Sequence, residues 1–248
     1  MRAVQQRLPS HLTDPIAFAH RGARAYAPEN TIEAFQLALK LGANGLESDI
    51  WVTEDGVPVM DHDGVVRRRL GRTTPISQVT RHHLPRHIPS LAEMIEACGT
   101  GYHLSLDVRN NTAARRTVEV VTEVAPALLP RVWLCAPNWE SLKPLRGTGV
   151  RLVDSTRLAQ MKEGPERRAA TLASEGIDAV NLFHTDWNGG LATLFHRFER
   201  ATFAWGVQET HLLDELLRMG MDGVYSDYPD RMIDAYRTAL GAMPPVAE

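Results

Sequence analysis

Short apolar runs rich in branched and aromatic residues alternate along the chain with longer stretches in which apolar positions recur every three to four residues. The short runs predict β-strands, and the longer stretches predict amphipathic helices. Eight strands are predicted, at residues 16–20, 45–52, 103–109, 131–136, 151–155, 179–184, 202–207 and 223–227. Eight helices are predicted, at residues 30–41, 90–98, 112–129, 139–146, 165–175, 191–200, 211–219 and 229–240.

A strand and a helix that alternate eight times are typical of a parallel sheet with crossover helices. The pattern therefore predicts an α/β fold of the closed (β/α)8 type, the TIM barrel. A doubly wound open sheet is the alternative, but no Gly-x-Gly-x-x-Gly follows the first strand, so the main argument for a dinucleotide-binding domain is missing. The length of 248 residues suits one barrel, and we expect a single domain over residues 1–248.

Residues 53–89 interrupt the regular alternation, because they separate the second strand from its helix by far more than a short loop. The tripeptide Glu-Asp-Gly at 54–56 is a turn signal, and the sequence VPVMDHD after it predicts a return strand. The polar, proline-containing segment at about 63–89 predicts a small insertion over the mouth of the barrel. A plain surface excursion is the alternative.

Composition and charge narrow the possible partners. The chain is 44% apolar with a net charge of −3 and no basic stripe, so we expect no nucleic-acid partner.

Cys98 and Cys135 lie in separate apolar segments without metal-ligand spacing, which predicts buried free thiols. No apolar run approaches the roughly 18 residues of a membrane span, and the N-terminus does not resemble a signal peptide. We therefore expect a cytoplasmic protein without a transmembrane segment, whereas its oligomeric state is open.

Four polar residues stand out at or near the ends of the first predicted strands. Glu47 and Asp49 are two residues apart on one strand, so their side chains point to the same face. His20 and His62 each end an apolar run on either side of this pair. Paired carboxylates suit a hard cation such as Mg²⁺ or Ca²⁺, and an imidazole titrates near neutral pH. The pattern indicates a metal site between two acid/base groups, although a single histidine at a strand end is more often structural.

Residues 19–63 resemble the N-terminal signature of the glycerophosphodiester phosphodiesterase family. The segment contains HRG, PENT, a helix that ends in GA, an E-x-D pair, T-x-DG and a final HD. The resemblance continues through R-x-x-x-R-TT in the insertion, IPSLAEMIEAC in the next helix, AWGV at 204–207 and GMDGVYSDYPD near the end. Members of this family are barrels that use a divalent metal to hydrolyse glycerophosphodiesters to glycerol phosphate and an alcohol.

The resemblance implies a metal-ligand set and two catalytic residues. Glu47, Asp49 and a third acidic residue, Asp107, would hold Mg²⁺ or Ca²⁺, while His20 and His62 would act as general acid and base. Each of these proton transfers is worth on the order of 10²–10⁴ in rate.

The third ligand position departs from the family. Asp107 stands where the family usually has glutamate, and Arg109 stands where lysine is usual. Aspartate is one methylene shorter, and the planar fork of arginine can grip a phosphate in a bidentate manner. Asp107 and Arg109 share a strand face with Ser105, opposite Leu104, which predicts that they point into the barrel.

Three residues are expected to bind the substrate: Arg21, Arg109 and Trp205. Arg21 follows His20 directly, which favours phosphate binding over a surface ion pair. Trp205 resembles the tryptophan of the family motif A-W-T-V-N, although Gly206 and Gln208 replace its Thr and Asn. It would pack against a glycerol or lipid moiety, and simple filling of the barrel is the alternative.

Two residues near the site receive structural interpretations. Asn30, after Pro28, is predicted to cap the first helix, and Asp227 is predicted to anchor the last loop.

The leading hypothesis is metal-dependent hydrolysis of a small glycerophosphodiester to glycerol 3-phosphate and an alcohol, as in phospholipid turnover or glycerol metabolism. One alternative is cleavage of lysophospholipid head groups, as by a lysophospholipase D, and another is attack by a substrate hydroxyl to give a cyclic phosphate. A non-enzymatic alternative is a barrel that binds a phosphorylated ligand without turnover.

Overall fold

The computed structural model describes residues 7–67 and 71–241. The strands are β1 (Ile16–His20), β2 (Gly45–Val52), β3 (Pro58–Met60), β4 (Val65–Arg67), β5 (Thr73–Pro75), β6 (His103–Val108), β7 (Val132–Ala136), β8 (Arg151–Ser155), β9 (Ala179–Phe183), β10 (Ala201–Trp205) and β11 (Gly223–Ser226). The α-helices are α1 (Ile32–Lys40), α2 (Leu91–Cys98), α3 (Asn111–Val124), α4 (Pro165–Ser174), α5 (Gly189–Arg197), α6 (Thr210–Arg218) and α7 (Pro229–Leu240).

Eight parallel strands close into a barrel in the order β1, β2, β6, β7, β8, β9, β10 and β11. The closure is made by β1, which pairs with β2 on one side, where His20 is opposite Glu47, and with β11 on the other, where Ile16 is opposite Gly223. An open sheet would leave β1 with a free edge. The predicted (β/α)8 barrel is therefore confirmed, and the doubly wound alternative is wrong.

Two predicted helical features differ in the structure. Residues Trp139–Leu145 form a 3₁₀-helix, with Pro144 inside it, where an α-helix over 139–146 was predicted. Proline lacks the N–H that a continuing α-helix needs. The first helix is capped by Thr31, whose hydroxyl accepts a hydrogen bond from the Ala34 N–H at 3.2 Å, and Asn30 instead adopts a left-handed φ of 58° before the cap.

Aromatic side chains fill the interior of the barrel below its carboxyl end. The ring of Phe18 stacks on Tyr225 with centroids 4.6 Å apart, and Trp133 packs edge-on against Phe203 at 4.9 Å. A second apolar layer lies between the outer faces of the strands and the helices. Because the centre of the barrel is packed, a ligand site has to lie at an end of the barrel, and active sites of this fold lie at the carboxyl end.

The segment between β2 and α2 contains the predicted return strand and a further hairpin. Strand β3 runs antiparallel to β2, with Met60 opposite Ile50, and β4 pairs with β5. The segment has its own apolar cluster, separate from the main core, formed by Val59, Val66, Ile76, Val79, Leu84 and Ile88. Residues 68–70 of the predicted insertion lie outside the described residues. His62 lies two residues after the end of β3, so this packing positions it.

Both cysteines are free thiols, as predicted; Cys135 is buried, also as predicted, whereas Cys98 is half-buried. Across residues 7–67 and 71–241, none of the helices combines the length and the apolar character that crossing a membrane requires.

Candidate active site

A cavity of about 490 Å³ opens at the carboxyl end of the barrel strands. All eight side chains that the sequence proposes for the site line it, although they come from distant parts of the chain. They are His20, Arg21, Glu47, Asp49, His62, Asp107, Arg109 and Trp205. The closure of the barrel therefore assembles the predicted residues in one place.

The three candidate ligand carboxylates are placed by the pairing of β2 with β6. Asp49 lies directly opposite Asp107, and Glu47 lies opposite Ser105 one layer deeper. Desolvation, followed by repulsion from Asp49, raises the pKa of Asp107 to about 7. Burial also raises the pKa of Glu47, and the charges of Asp49 and Asp107 raise it further. Burial and mutual repulsion therefore both oppose full ionisation of these carboxylates.

Arginine side chains compensate part of this charge. Arg109 Nη2 donates a hydrogen bond to Asp49 Oδ1, and Arg21 Nε lies 3.8 Å from Asp49 Oδ2. Asp107 accepts no hydrogen bond from the residues that the structure describes. In that part of the chain, no group of three or more His, Cys, Asp or Glu side chains is arranged to hold a metal ion. The three carboxylates share the cavity without converging on one point.

His20 is held by a carboxylate from the other end of the chain. Its Nδ1 lies 2.6 Å from Asp227 Oδ1. Partial burial alone would raise the pKa of Asp227, but the hydrogen bond from His20 and the charges of His20 and Arg24 lower it below its usual value. An ionised carboxylate only accepts hydrogen bonds, so Nδ1 carries the proton. The other ring nitrogen, Nε2, lies 3.8 Å from Glu47 Oε2.

The interpretation of Asp227 as a loop anchor missed this contact with His20. A signal was present in the sequence, because Asp227 directly follows the last barrel strand. In a closed barrel the last strand is the neighbour of the first, whose final residue is His20.

The departures from the family motif around Trp205 have structural reasons. Gly206 has a φ of 78°, and a Cβ at this position would lie 2.5 Å from the Phe183 ring, so the Thr of the family motif does not fit here. Gln208 Oε1 accepts hydrogen bonds from the Asp227 N–H at 2.9 Å and from Ser226 Oγ at 3.3 Å. Gln208 therefore fixes the backbone that carries the partner of His20.

His62 has a carboxylate neighbour of its own. Its Nδ1 lies 2.9 Å from Asp63 Oδ1. The hydrogen bond from His62 lowers the pKa of Asp63. The next turn is closed by the Gly64 N–H, which donates to Asp61 Oδ2 at 2.7 Å. Unlike His20, His62 lies near the solvent, at the rim formed by the segment between β2 and α2.

The residue after His20 uses both its backbone and its side chain. Arg21 has a left-handed φ of 52°, and its N–H donates to Glu47 Oε2 at 2.9 Å. Its Nη1 donates to Glu29 Oε1 at 3.0 Å, whereas its buried Nε has no hydrogen-bond partner among the described residues. Gly22 follows with a φ of 77°, and a Cβ there would lie 2.7 Å from the Ala34 backbone. The His-Arg-Gly turn thus points a guanidinium into the cavity.

The opposite wall of the cavity is formed by β8, β9 and β10. Trp205 is 37% exposed, and its ring lies 4.7 Å from the Phe183 ring. Trp205 therefore lies at the rim, while the fully buried Phe203 fills the barrel below it. Sequence reasoning did not identify Ser155 and Asn181, which line this wall. Their only sequence signal is a polar residue at an inward-facing strand position.

Comparisons with known proteins agree with the resemblance in the sequence. A model of the Glycerophosphoryl diester phosphodiesterase family matches residues 20–231. A glycerophosphodiester phosphodiesterase of Bacillus altitudinis is 23% identical over 235 residues, which cover 87% of this chain and 96% of the relative.

Two solved structures have the same fold. A phosphodiesterase of Oleispira antarctica, in complex with the product sn-glycerol-3-phosphate, matches with a TM-score of 0.77 and 22% identity over 90% of this chain and 96% of its own. A glycerophosphodiester phosphodiesterase of Thermotoga maritima matches with a TM-score of 0.76 and 21% identity over 90% of this chain and 99% of its own. Because the family model spans most of the sequence, the chain belongs to the glycerophosphoryl diester phosphodiesterase family, as its motifs predict, and is an enzyme of that class.

Proposed function

We propose that the cavity hydrolyses a glycerophosphodiester to sn-glycerol 3-phosphate and an alcohol with the help of a divalent cation, Mg²⁺ or Ca²⁺. The observation that carries this proposal is the arrangement of His20, oriented by Asp227, on the same side of the cavity as three carboxylates. The product-bound structure of the Oleispira antarctica neighbour supports the substrate class.

The carboxylates have the chemistry that a hard cation requires. Glu47, Asp49 and Asp107 offer only oxygen donors, and burial, followed by repulsion between the carboxylates, raises the pKa of Glu47 and of Asp107. Oxygen donors favour Mg²⁺ or Ca²⁺. By donor type Glu47, Asp49 and Asp107 therefore suit a divalent cation and are the residues that would hold it, although their side chains do not converge on one point in the described structure. When bound, such a cation would withdraw negative charge from the non-bridging oxygens of the phosphodiester, so that a nucleophile is repelled less from the phosphorus.

Two arginines are suited to hold the phosphate. Arg21 has an Nε–H without a hydrogen-bond acceptor in the described structure, although this atom is buried at the cavity wall. Arg109 already pairs with Asp49 and presents its remaining N–H groups to the cavity. A phosphate oxygen would satisfy the Arg21 donor, because guanidinium groups bind phosphate through charge-assisted hydrogen bonds. We assign the non-bridging oxygens of the substrate to these two side chains.

The two imidazoles are suited to opposite proton transfers. His20 donates an Nδ1–H hydrogen bond to Asp227, so the neutral ring keeps a lone pair on Nε2 that can accept a proton from the attacking water. His62 lies nearer the solvent beside Asp63, where it can return a proton to the leaving alkoxide. Asp227 would stabilise the imidazolium that His20 becomes when it accepts a proton, and Asp63 would stabilise the imidazolium of His62 that supplies one.

The lining of the cavity favours a small polar substrate over a lysophospholipid. Apart from Trp205 at the rim and Tyr225 in the wall, the side chains around the opening are mostly charged or carry hydroxyl and amide groups. An acyl chain would have few apolar contacts in such a site.

A direct test compares glycerophosphocholine with lysophosphatidylcholine. Each is incubated with the protein in EDTA and then with added Mg²⁺ or Ca²⁺, and the phosphorylated product is quantified. We expect metal-restored release of glycerol 3-phosphate from glycerophosphocholine. Cleavage of the lipid alone would move the assignment to a lysophospholipase D, and a cyclic product would identify a substrate hydroxyl as the nucleophile. Ligand binding without turnover of either compound would contradict the proposal.

A further inference from the structure

The wall opposite the carboxylates carries an amide that the proposed proton transfers do not use. Asn181, in β9, faces the cavity and is only 4% exposed. Its Nδ2 donates to Ser155 Oγ on the neighbouring strand at 3.3 Å. Its Oδ1 accepts no hydrogen bond from any residue within the described parts of the chain. One end of a buried amide in the cavity wall therefore has no hydrogen-bond partner among the described residues.

An unsatisfied buried polar atom is destabilising, and native proteins normally provide it with a partner. A ligand group that forms a hydrogen bond to the amide of Asn181 would remove this destabilisation. An apolar side chain would pack in the same place without a desolvation cost. An amide is therefore unfavourable here unless it forms a hydrogen bond to a ligand.

The depth of Asn181 limits what can reach it. On β10, Phe203 lies opposite Asn181 and is completely buried, whereas Trp205, two residues further along, is 37% exposed. Asn181 therefore lies below the rim, at the level of the buried Phe203. The neighbouring side chains, Ser155 and Thr156, carry hydroxyls rather than an apolar surface.

We propose that Asn181 is a specificity-determining residue that binds a free hydroxyl of the glycerol moiety of the substrate, an inference that rests on the proposed function. A hydroxyl both donates and accepts, so it satisfies the side-chain amide in either of its two orientations. A quaternary ammonium group has no N–H and cannot form this bond. The glycerol end of the substrate therefore lies against β8 and β9, and the head group extends towards the rim.

The test is a cycle of two substrates and two isosteric variants. Glycerophosphocholine and propylphosphocholine differ only by the two hydroxyls of the glycerol, and choline release from each gives kcat/KM. The variants are Asn181→Val and Asn181→Thr, which have nearly the same size and shape and differ mainly by one hydroxyl. Both β-branched residues suit a strand. Circular dichroism and turnover of propylphosphocholine report whether each variant is folded.

We expect the wild type to prefer glycerophosphocholine by about tenfold or more. In Asn181→Val this preference should fall to near one, while turnover of propylphosphocholine stays within about threefold of wild type; Asn181→Thr should retain part of the preference. A preference that is unchanged in Asn181→Val would overturn the inference, as would an equal loss on both substrates. Failure of the wild type to cleave either substrate would instead refute the proposed function.

Binding of the product gives a second measurement that requires no turnover. Calorimetry with sn-glycerol 3-phosphate and with propyl phosphate should show a preference for the hydroxylated ligand that Asn181→Val abolishes. Equal affinity of the wild type for the two phosphates would contradict the role of Asn181.

Discussion

Removal of the carboxylate that holds His20 is the sharpest test of the proton-transfer scheme. In Asp227→Asn the side chain keeps its size, but the 2.6 Å bond from His20 Nδ1 loses its ionised acceptor. A hydrogen bond to a charged group is worth about 1.5–3 kcal/mol, and about 2 kcal/mol corresponds to a loss of roughly 30-fold in rate. Because the asparagine N–H₂ can also donate to Nδ1, it can move the ring proton to Nε2, which makes the loss larger still.

The effect should appear in kcat for glycerophosphocholine, with a smaller change in KM, because Asp227 acts on the base rather than on the bound phosphate. Asp230→Asn is the matched control. Asp230 also lies near the barrel mouth, but it accepts a hydrogen bond from the Tyr26 hydroxyl at 2.8 Å and makes no contact with His20. Activity of Asp227→Asn within threefold of wild type would refute the reasoning, as would an equal loss in both variants.

Three further predictions concern the metal ligands, the second histidine and the stability of the barrel. Glu47→Gln should raise the metal concentration needed for half-maximal activity, and an unchanged Mg²⁺ or Ca²⁺ titration would remove Glu47 from the ligand set. His62→Ala should lower kcat by about 10²-fold or more, whereas His82→Ala, in the insertion outside the cavity, should leave it unchanged. Burial raises the pKa of Asp154 to about 7 even though Arg168 pairs with it. The folded state therefore keeps a proton on Asp154 that the unfolded chain loses near pH 4. The free energy of unfolding should fall as the pH rises from about 4 to 7, and this group contributes up to about 4 kcal/mol to the decrease. Urea unfolding of Asp154→Asn over this range should show a flatter profile, and a slope equal to that of wild type would refute the assignment.

Most of the barrel could be predicted from the sequence, because the strands are buried on both faces and are separated by regular helical patterns. The burial of the strands also makes the E-x-D pair informative about the position of the site. Two charged side chains on one face of a buried strand have to point to an end of the barrel or to a ligand. The fold then places Asp107 opposite Asp49, as the pairing of parallel strands requires.

Features that depend on contacts across the barrel were harder to predict. The partner of His20 is 207 residues away, so no local pattern reveals it. The prediction of an α-helix at 139–146 was wrong because it rested on apolar periodicity alone. Pro144 lacks the N–H that an α-helix needs at this position, and the segment forms a 3₁₀-helix. Asn181 has an ordinary strand position, and it is distinguished by an amide oxygen that has no partner within residues 7–67 and 71–241.

The pairing of His20 with Asp227 also links the chemistry to the order in which the chain is made. His20 ends the first strand, and Asp227 follows the last, so during synthesis the histidine emerges long before its partner. A nascent barrel that has not yet docked β11 can already contain Glu47, Asp49, His62 and Asp107, but its His20 has no carboxylate to orient it. Under the proposed mechanism, catalytic competence therefore requires that β11 has docked beside β1, so activity during refolding should not appear before that strand is in place.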